Sequence, residues 1–430
     1  MTPSRNMNPA LMALVAEGFL MRLSFGIISF ALPLYARRLG LSLAETGALI
    51  AVTGIVKVAL KPVAGWLADR VGSKRGLVAA LVLRSCVSFL FAFASAPWQL
   101  YSIRTIHGLS TSVRDPAVNA LIAENGDEKA MGSAFAWYFT AKSMANALGK
   151  AIAGALLTLT GSNFFAVFLI TWGISSLTLP AVIFLVPGVD RRRAAEREDE
   201  PTLAGNGAGM GAQGPRPSPY SKVFAVVGLG FLISLTASMI DRFYPILATE
   251  YAHMTEAQAG AVYLASALVT LVAGPLFGWL SDRFGRKPTV AVRSMANAGS
   301  SLLYMVAPNP AGFTAGKLLD DGGRAGFRPA WGALKADVSS LKRSQRAQMM
   351  GLMDVGDDAG DVVGPIGGGL LWDAWGIVGL LGTRIALAIM TEVYAAAVLW
   401  RDPGVVRHRP HLRWRSRRRH RPSGVESLRE

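Results

Sequence analysis

The chain has 430 residues, 51% of them hydrophobic and only 17% charged, with a formal net charge of +16. A typical soluble chain carries roughly 25% charged residues, so this balance excludes an ordinary pair of soluble domains. The basic residues fall between apolar runs and after Trp400, which argues against a nucleic-acid partner.

Runs of roughly twenty apolar residues span a bilayer. On that rule the sequence predicts an all-α membrane protein with twelve transmembrane helices. They lie at approximately 9–36, 44–69, 76–96, 98–124, 130–160, 163–187, 221–248, 256–282, 288–307, 310–337, 346–372 and 375–400. Arg5 precedes the first run, but Glu17 and Arg22 interrupt it and no small-residue cleavage pattern follows. It reads as a retained first helix, not a signal peptide. Pro33 and Pro245 are expected to kink helices one and seven. The chain divides into a six-helix bundle (1–187), a linker (188–220), a second bundle (221–400) and a basic tail (401–430). Arg191, Arg192 and Arg193, an acidic run, and then Gly and Pro make the linker a solvated connection.

Lysines and arginines set the orientation. The face holding the termini, the linker and the loops after helices two and eight collects 28 of them, against Arg37 and Arg38 opposite. Both termini are therefore expected in the cytoplasm, the chain crossing the plasma (inner) membrane many times as a monomer. The tail around Arg413 to Arg421 suits anionic headgroups. A single cysteine, Cys86, leaves no internal disulfide, and no metal site or cofactor is expected.

The loop after helix two reads Gly65-Trp66-Leu67-Ala68-Asp69-Arg70-Val71-Gly72-Ser73-Lys74. At an offset of 213 comes Gly278-Trp279-Leu280-Ser281-Asp282-Arg283-Phe284-Gly285-Arg286-Lys287. The same offset relates Gly47 to Gly260, Pro62 to Pro275, Arg104 to Lys317 and Pro116 to Pro329, so two halves share one plan. This pattern, Gly-x-x-x-Asp-Arg-x-Gly-x-Lys, resembles the signature loop of the major facilitator superfamily, and the resemblance covers residues 8 to about 400. It implies two pseudo-symmetric six-helix bundles and secondary transport of a small solute by alternating access. It also implies gating by Gly65, Asp69, Arg70, Gly72 and Lys74, and by Gly278, Asp282, Arg283, Gly285 and Lys287. Asp69 would meet the start of helix eleven, and Asp282 the start of helix five.

Arg104 followed by Gly108 resembles the helix-four motif of bacterial drug–proton antiporters, with Ser110 in place of that motif's second glycine. The antiporter pattern of helix five meets Lys150 where proline should stand. It recurs in helix eleven as Gly360-Asp361-Val362-Val363-Gly364-Pro365-Ile366-Gly367-Gly368-Gly369. Proton-coupled export follows from that likeness; a symporter or facilitator importing a nutrient or organic anion is the alternative. No Gly-x-x-x-x-Gly-Lys-Ser/Thr loop and no His-Glu-x-x-His is present, so ATP-driven pumping and hydrolysis find no motif. A sensor or enzyme on a transporter fold stands as the reading from another class.

By the family's plan, helices one, four, seven and ten line the cavity. They carry Glu17, Arg22, Arg104, Arg114, Asp115, Asp241, Arg242, Asp320 and Asp321 as the substrate and proton pathway. Charges facing lipid are costly, so these face water or one another, while Arg84, Arg293 and Arg384 are placed to snorkel. Glu17 and Arg114 lie at similar depth and are expected to face each other, with Glu17 or Asp115 as proton carrier. Helix eleven holds Asp354, Asp357, Asp358 and Asp361 on one face, opposite Lys57 and Lys61 of helix two. The expected interdomain pairs are Lys61–Asp354 and Lys57–Asp358, with Asp357 and Asp361 turned towards the cavity or the Lys57 side.

Overall fold

Apolar runs punctuated by Pro and Gly become helices in the computed structural model, which describes residues 9–125, 131–186, 219–284, 286–339 and 346–398. In the first half these are α1 (Pro9–Arg38), α2 (Leu43–Val71), α3 (Ser73–Phe93), α4 (Pro97–Asn125) and α5 (Met131–Leu159). α6 (Phe164–Ser176) continues as Thr178–Leu185. In the second half α7 (Pro219–Asp241) continues through Tyr244–Ile246 and the π-helical Leu247–Tyr251. α8 (Glu256–Phe284), α9 (Arg286–Val306) and α10 (Pro310–Ser339) follow. The last helical stretch, Arg346–Val398, breaks at Gly376, whose φ of 67° and ψ of −174° are not helical. It divides into α11 (346–375) and α12 (377–398). No strand occurs among the described residues. The expected linker and tail lie outside the described residues.

Among the described residues seven stretches are long and apolar enough, by length and composition, to cross a membrane. α4, α5, α9 and α10 are not among them. α4, α9 and α10 carry Arg104, Arg114, Arg293, Lys317 and Asp320, all buried inside the bundle rather than facing lipid. Proline explains the two interruptions. Pro180 and Pro245 lie four residues after Ser176 and Asp241, where their rings collide with the preceding carbonyls. The expected kink at Pro245 is therefore a break, whereas α1 runs on through Pro33 without one.

The repeat at 213 extends to the caps. Ser42 and Glu45 form a capping box at the start of α2, with backbone-to-side-chain distances of 2.7 and 3.1 Å. Thr255 and Gln258 form its counterpart at the start of α8, at 2.9 and 3.2 Å.

The halves meet along α2 with α11 and α5 with α8. At these seams a side chain would collide with the opposing backbone, so glycine stands there. Gly47 faces Pro365, and Gly154 faces Glu256. Around this end of the bundle, the end of Gly40, each half caps the other's second helix. Asp373 of α11 accepts from the amides of Leu43 and Ala44 at 3.2 and 2.7 Å. Thr158 of α5 accepts from the amide of Ala257 at 2.9 Å, and Ser162 donates to Glu256 at 2.8 Å. Arg37 and Glu250, themselves 213 apart, pair at 3.3 Å. Beneath these contacts one apolar cluster spans both halves, from Phe30 and Phe91 to Phe243, Tyr244 and Leu380. The Gly40 end is sealed.

Candidate functional site

Between the halves, below that seal, lies a cavity of about 480 Å³. The first half supplies Met21, Arg22 and Phe25 from α1, Ile50 to Val58 from α2, Arg84 from α3 and Arg104, Arg114 and Asp115 from α4. Phe139, Lys142 and Asn146 of α5 complete its side. Arg242, Arg328, Asp358, Asp361 and Val362 close it from the second half.

Glu17 is fully buried and meets Arg114 through two hydrogen bonds of 2.8 and 2.7 Å, a planar fork on a carboxylate. Arg114 also donates to the Tyr138 hydroxyl at 3.2 Å and to Asp115 at 3.2 Å. Asp115, about one-third exposed, is shared with Lys57 at 3.2 Å. Arg104 donates to the carbonyls of Ile50 and Leu49 at 2.8 and 3.4 Å, tying α4 to α2, and its Nη1 lies 3.4 Å from His107 Nδ1. His107 is buried and packs on Phe25. Arg22 and Arg84 both lie over the Phe25 ring, their guanidinium carbons 4.6 and 5.5 Å from its centroid.

The second half arranges its charges differently. Lys317 bonds Asp241 at 2.8 Å and Asp321 at 3.0 Å. Arg324 reaches Asp241 at 3.4 Å, and Ser266 donates to Asp321. Asp320 is held by Arg384 at 2.8 Å and Arg293 at 3.1 Å. Its contact with Arg324 one turn on is longer, 3.9 Å. Arg384 further donates to Asn297 at 2.9 Å, to Ser300 at 2.9 Å and to the Thr236 carbonyl at 2.8 Å. A smaller cavity of about 110 Å³ borders Lys150, Asp241, Lys317 and Asp321. There the Lys150 ammonium stands 3.9 Å from the Tyr263 ring centroid.

Several expectations are corrected here. Arg84, Arg293 and Arg384 do not snorkel; they are buried, because Asp320 receives two of them and the cavity wall the third. Lys57 meets Asp115 of α4, with Asp358 across the same cavity. Asp354 instead takes Lys335 at 2.6 Å. Asp357 is turned away from the cavity towards Lys335, at 3.0 Å, and the Trp331 indole, at 3.0 Å. The reason is local: α10 and α11 are sequence neighbours, and this brings Lys335 beside these acids. Asp361 lines the cavity and accepts from Ser238. The Lys61 side chain lies outside the described residues.

Of the signature loops, Gly72 takes a φ of 91° at the start of α3, a turn that favours glycine. Lys74 donates to the Ile183 carbonyl at 3.1 Å, and Arg283 lies 5.3 Å from the Trp279 ring centroid. Gly65 and Gly278 fall within α2 and α8. The side chains of Asp69, Arg70, Asp282 and Lys287, and Gly285, lie outside the described residues. Sequence reasoning missed Tyr138, Asn297 and Lys335 as partners. Among the described residues no cluster of His, Cys, Asp and Glu could hold a metal.

Comparison with known proteins agrees with this architecture. The description "Major Facilitator Superfamily" matches residues 15–240 and 226–425. The chain is 28% identical over 193 residues to proteins named "Multidrug resistance protein MdtG" from Salmonella arizonae and Salmonella paratyphi B. Those alignments cover 44% of this chain and 46% of each relative, so the chain spans about half the length of the curated relatives it matches. A solved nucleoside transporter, NupG, superposes with a TM-score of 0.69 at 14% identity, covering 91% of this chain and 99% of that one. A peptide transporter, POT, in complex with sulfate gives 0.69 at 15% identity, with 92% and 96% covered. At such identities these likenesses establish the fold.

Proposed function

The chain belongs to the major facilitator superfamily, and from that premise we propose that it moves a small solute across the inner membrane by alternating access, exporting it in exchange for protons. The family is one of membrane transporters rather than enzymes. The observation that carries the reading is the 480 Å³ cavity between two halves that are sealed against each other at one end. Rocking of the halves would break that seal and form another opposite. The 28:2 division of loop cations supports a cytoplasmic Gly72 face, with both termini on it. Export takes its support from the multidrug-resistance relatives.

Asp115 is our choice of proton carrier. It is reachable from the cavity and shared between Arg114 and Lys57, whereas Glu17 is clamped and buried. We assign Asp69 and Asp282 the role of latches that close the Gly72 face during the cycle, each drawn to the positive end of a helix in the opposite half. Everted vesicles carrying the protein, acidified in their lumen, should lose protons when a transported compound is added. The compound would come from a growth-inhibition panel on a host lacking its own exporters. Accumulation of that compound by intact cells would instead favour import. Asp69→Asn should slow flux at equal expression, and Asp115→Asn should remove its dependence on the proton gradient.

A further inference from the structure

The walls of the central cavity carry more positive charge than the protein neutralises. Eight lysines and arginines line it against three aspartates. Asp115 is already shared by Arg114 and Lys57, and Arg104 is spent on backbone carbonyls. Arg22, Arg84, Lys142, Arg242 and Arg328 have no carboxylate within ion-pair distance among the described residues. Cations gathered this closely around one space repel each other unless an anion joins them.

A second observation marks where that anion docks. Arg84 is only 5% exposed, and its Nε is buried without a hydrogen-bond partner. A desolvated guanidinium donor left unmet is costly, so an acceptor brought by a ligand would complete it. The Phe25 ring lies against both Arg22 and Arg84, holding the two guanidinium groups at the same wall. Paired planar forks suit the oxygens of a carboxylate, phosphonate or sulfonate better than a lone ammonium would. Met21, Phe139 and Val362 line the same space and offer apolar surface. The volume falls within the range of drug-sized pockets, roughly 300–1,000 Å³.

We propose that the cavity binds a small organic anion, its acidic group at Arg22 and Arg84 and its apolar body against Phe139 and Val362. The passage of that anion rests on the transport reading above; its binding does not.

The test uses the purified full chain and three probes of matched size: phenylphosphonate, phenyltrimethylammonium and benzyl alcohol. Phenylphosphonate at millimolar concentration should raise the melting temperature in a saturable way, and the other two should not. Arg84→Gln and Arg22→Gln should each weaken the apparent Kd by about tenfold or more, and Arg84→Lys should recover part of the loss. No shift with phenylphosphonate, an equal shift with the cation, or affinity unchanged in both Gln variants would overturn the proposal. Should Arg84→Gln fail to fold, Arg22→Gln and the probe comparison on the wild type still decide. Repeating the titration in phosphatidylcholine and phosphatidylglycerol nanodiscs separates a soluble anion from a lipid headgroup. A shift kept in both supports the proposal, and one abolished by phosphatidylglycerol overturns it. Proteoliposomes that bind phenylphosphonate but never carry it would leave the site standing and sink the transport reading.

Discussion

The two halves repeat one backbone plan, yet they treat their buried charges in opposite ways. In the second half the buried aspartates of α7 and α10 are paired, Asp320 with Arg293 and Arg384, Asp241 with Lys317 and Arg324, Asp321 with Lys317. Of the cations there, Arg242 and Arg328 join the cavity wall without an acid among the described residues. In the first half one chain of ion pairs, Glu17–Arg114–Asp115–Lys57, stands beside Arg22, Arg84 and Lys142, which look into the cavity without an acid. Even the matched positions differ. Arg104 anchors on carbonyls of α2, while Lys317, its counterpart at 213, anchors on two aspartates. The difference teaches a division of labour. A network whose charges cancel internally holds its own half together and offers little to a solute. A wall with surplus charge is unfavourable alone and becomes favourable once occupied.

The largest expected effect would break the comparison at its most crowded point. Asp320→Asn leaves two buried arginines facing one neutral amide, and removing one partner of a buried pair costs about 3–5 kcal/mol. Thermal melts of the detergent-solubilised protein should show a strong loss, or none of it folded. A change under about 1 kcal/mol would mean that Asn297 and the serines hold Arg384, and the backbone carbonyl of residue 320 holds Arg293, without the carboxylate.

Glu17→Gln comes next, because it strands Arg114 while leaving Tyr138 and Asp115 in place. A loss of about 2–4 kcal/mol is expected. Reversing the pair, Glu17→Arg with Arg114→Glu, should recover part of the stability that either reversal removes. A double variant no better than the singles would show that orientation, not pairing, matters.

The third test sharpens the contrast. Arg22→Gln or Lys142→Gln should change stability by no more than about 1 kcal/mol, and in the stabilising direction if anything, since each relieves repulsion. Flux of a transported anion should fall in the same variants. A destabilisation as large as that of Asp320→Asn would erase the distinction between the halves.

The smallest effect belongs to the seal. Arg37–Glu250 is a half-exposed pair, worth about 0.2–1 kcal/mol and weakened by salt. Arg37→Ala should leave the melt nearly unchanged while raising labelling of a cysteine placed beneath it, such as Ile50→Cys. Unchanged labelling would assign closure to Asp373 and the apolar cluster alone.

Much of this was legible along the chain. Hydrophobic runs place helices because a bilayer admits few other structures, and the doubled loop with its 213-residue offset announces two related halves. The similar depth of Glu17 and Arg114 could be counted from helix ends. Pairing elsewhere could not. Lys57 has acids at similar depth on two neighbours, Asp358 of α11 and Asp115 of α4, and only the rotation of α2 about its axis chooses between them. Lys335, near the end of α10, reaches two acids of α11 because these consecutive helices pack side by side there. Arg293 and Arg384 stand 27 and 64 residues from the aspartate they share. Depth is set by local sequence, one residue after another. Azimuth is set by how all the helices pack at once, and a charge finds its partner by azimuth.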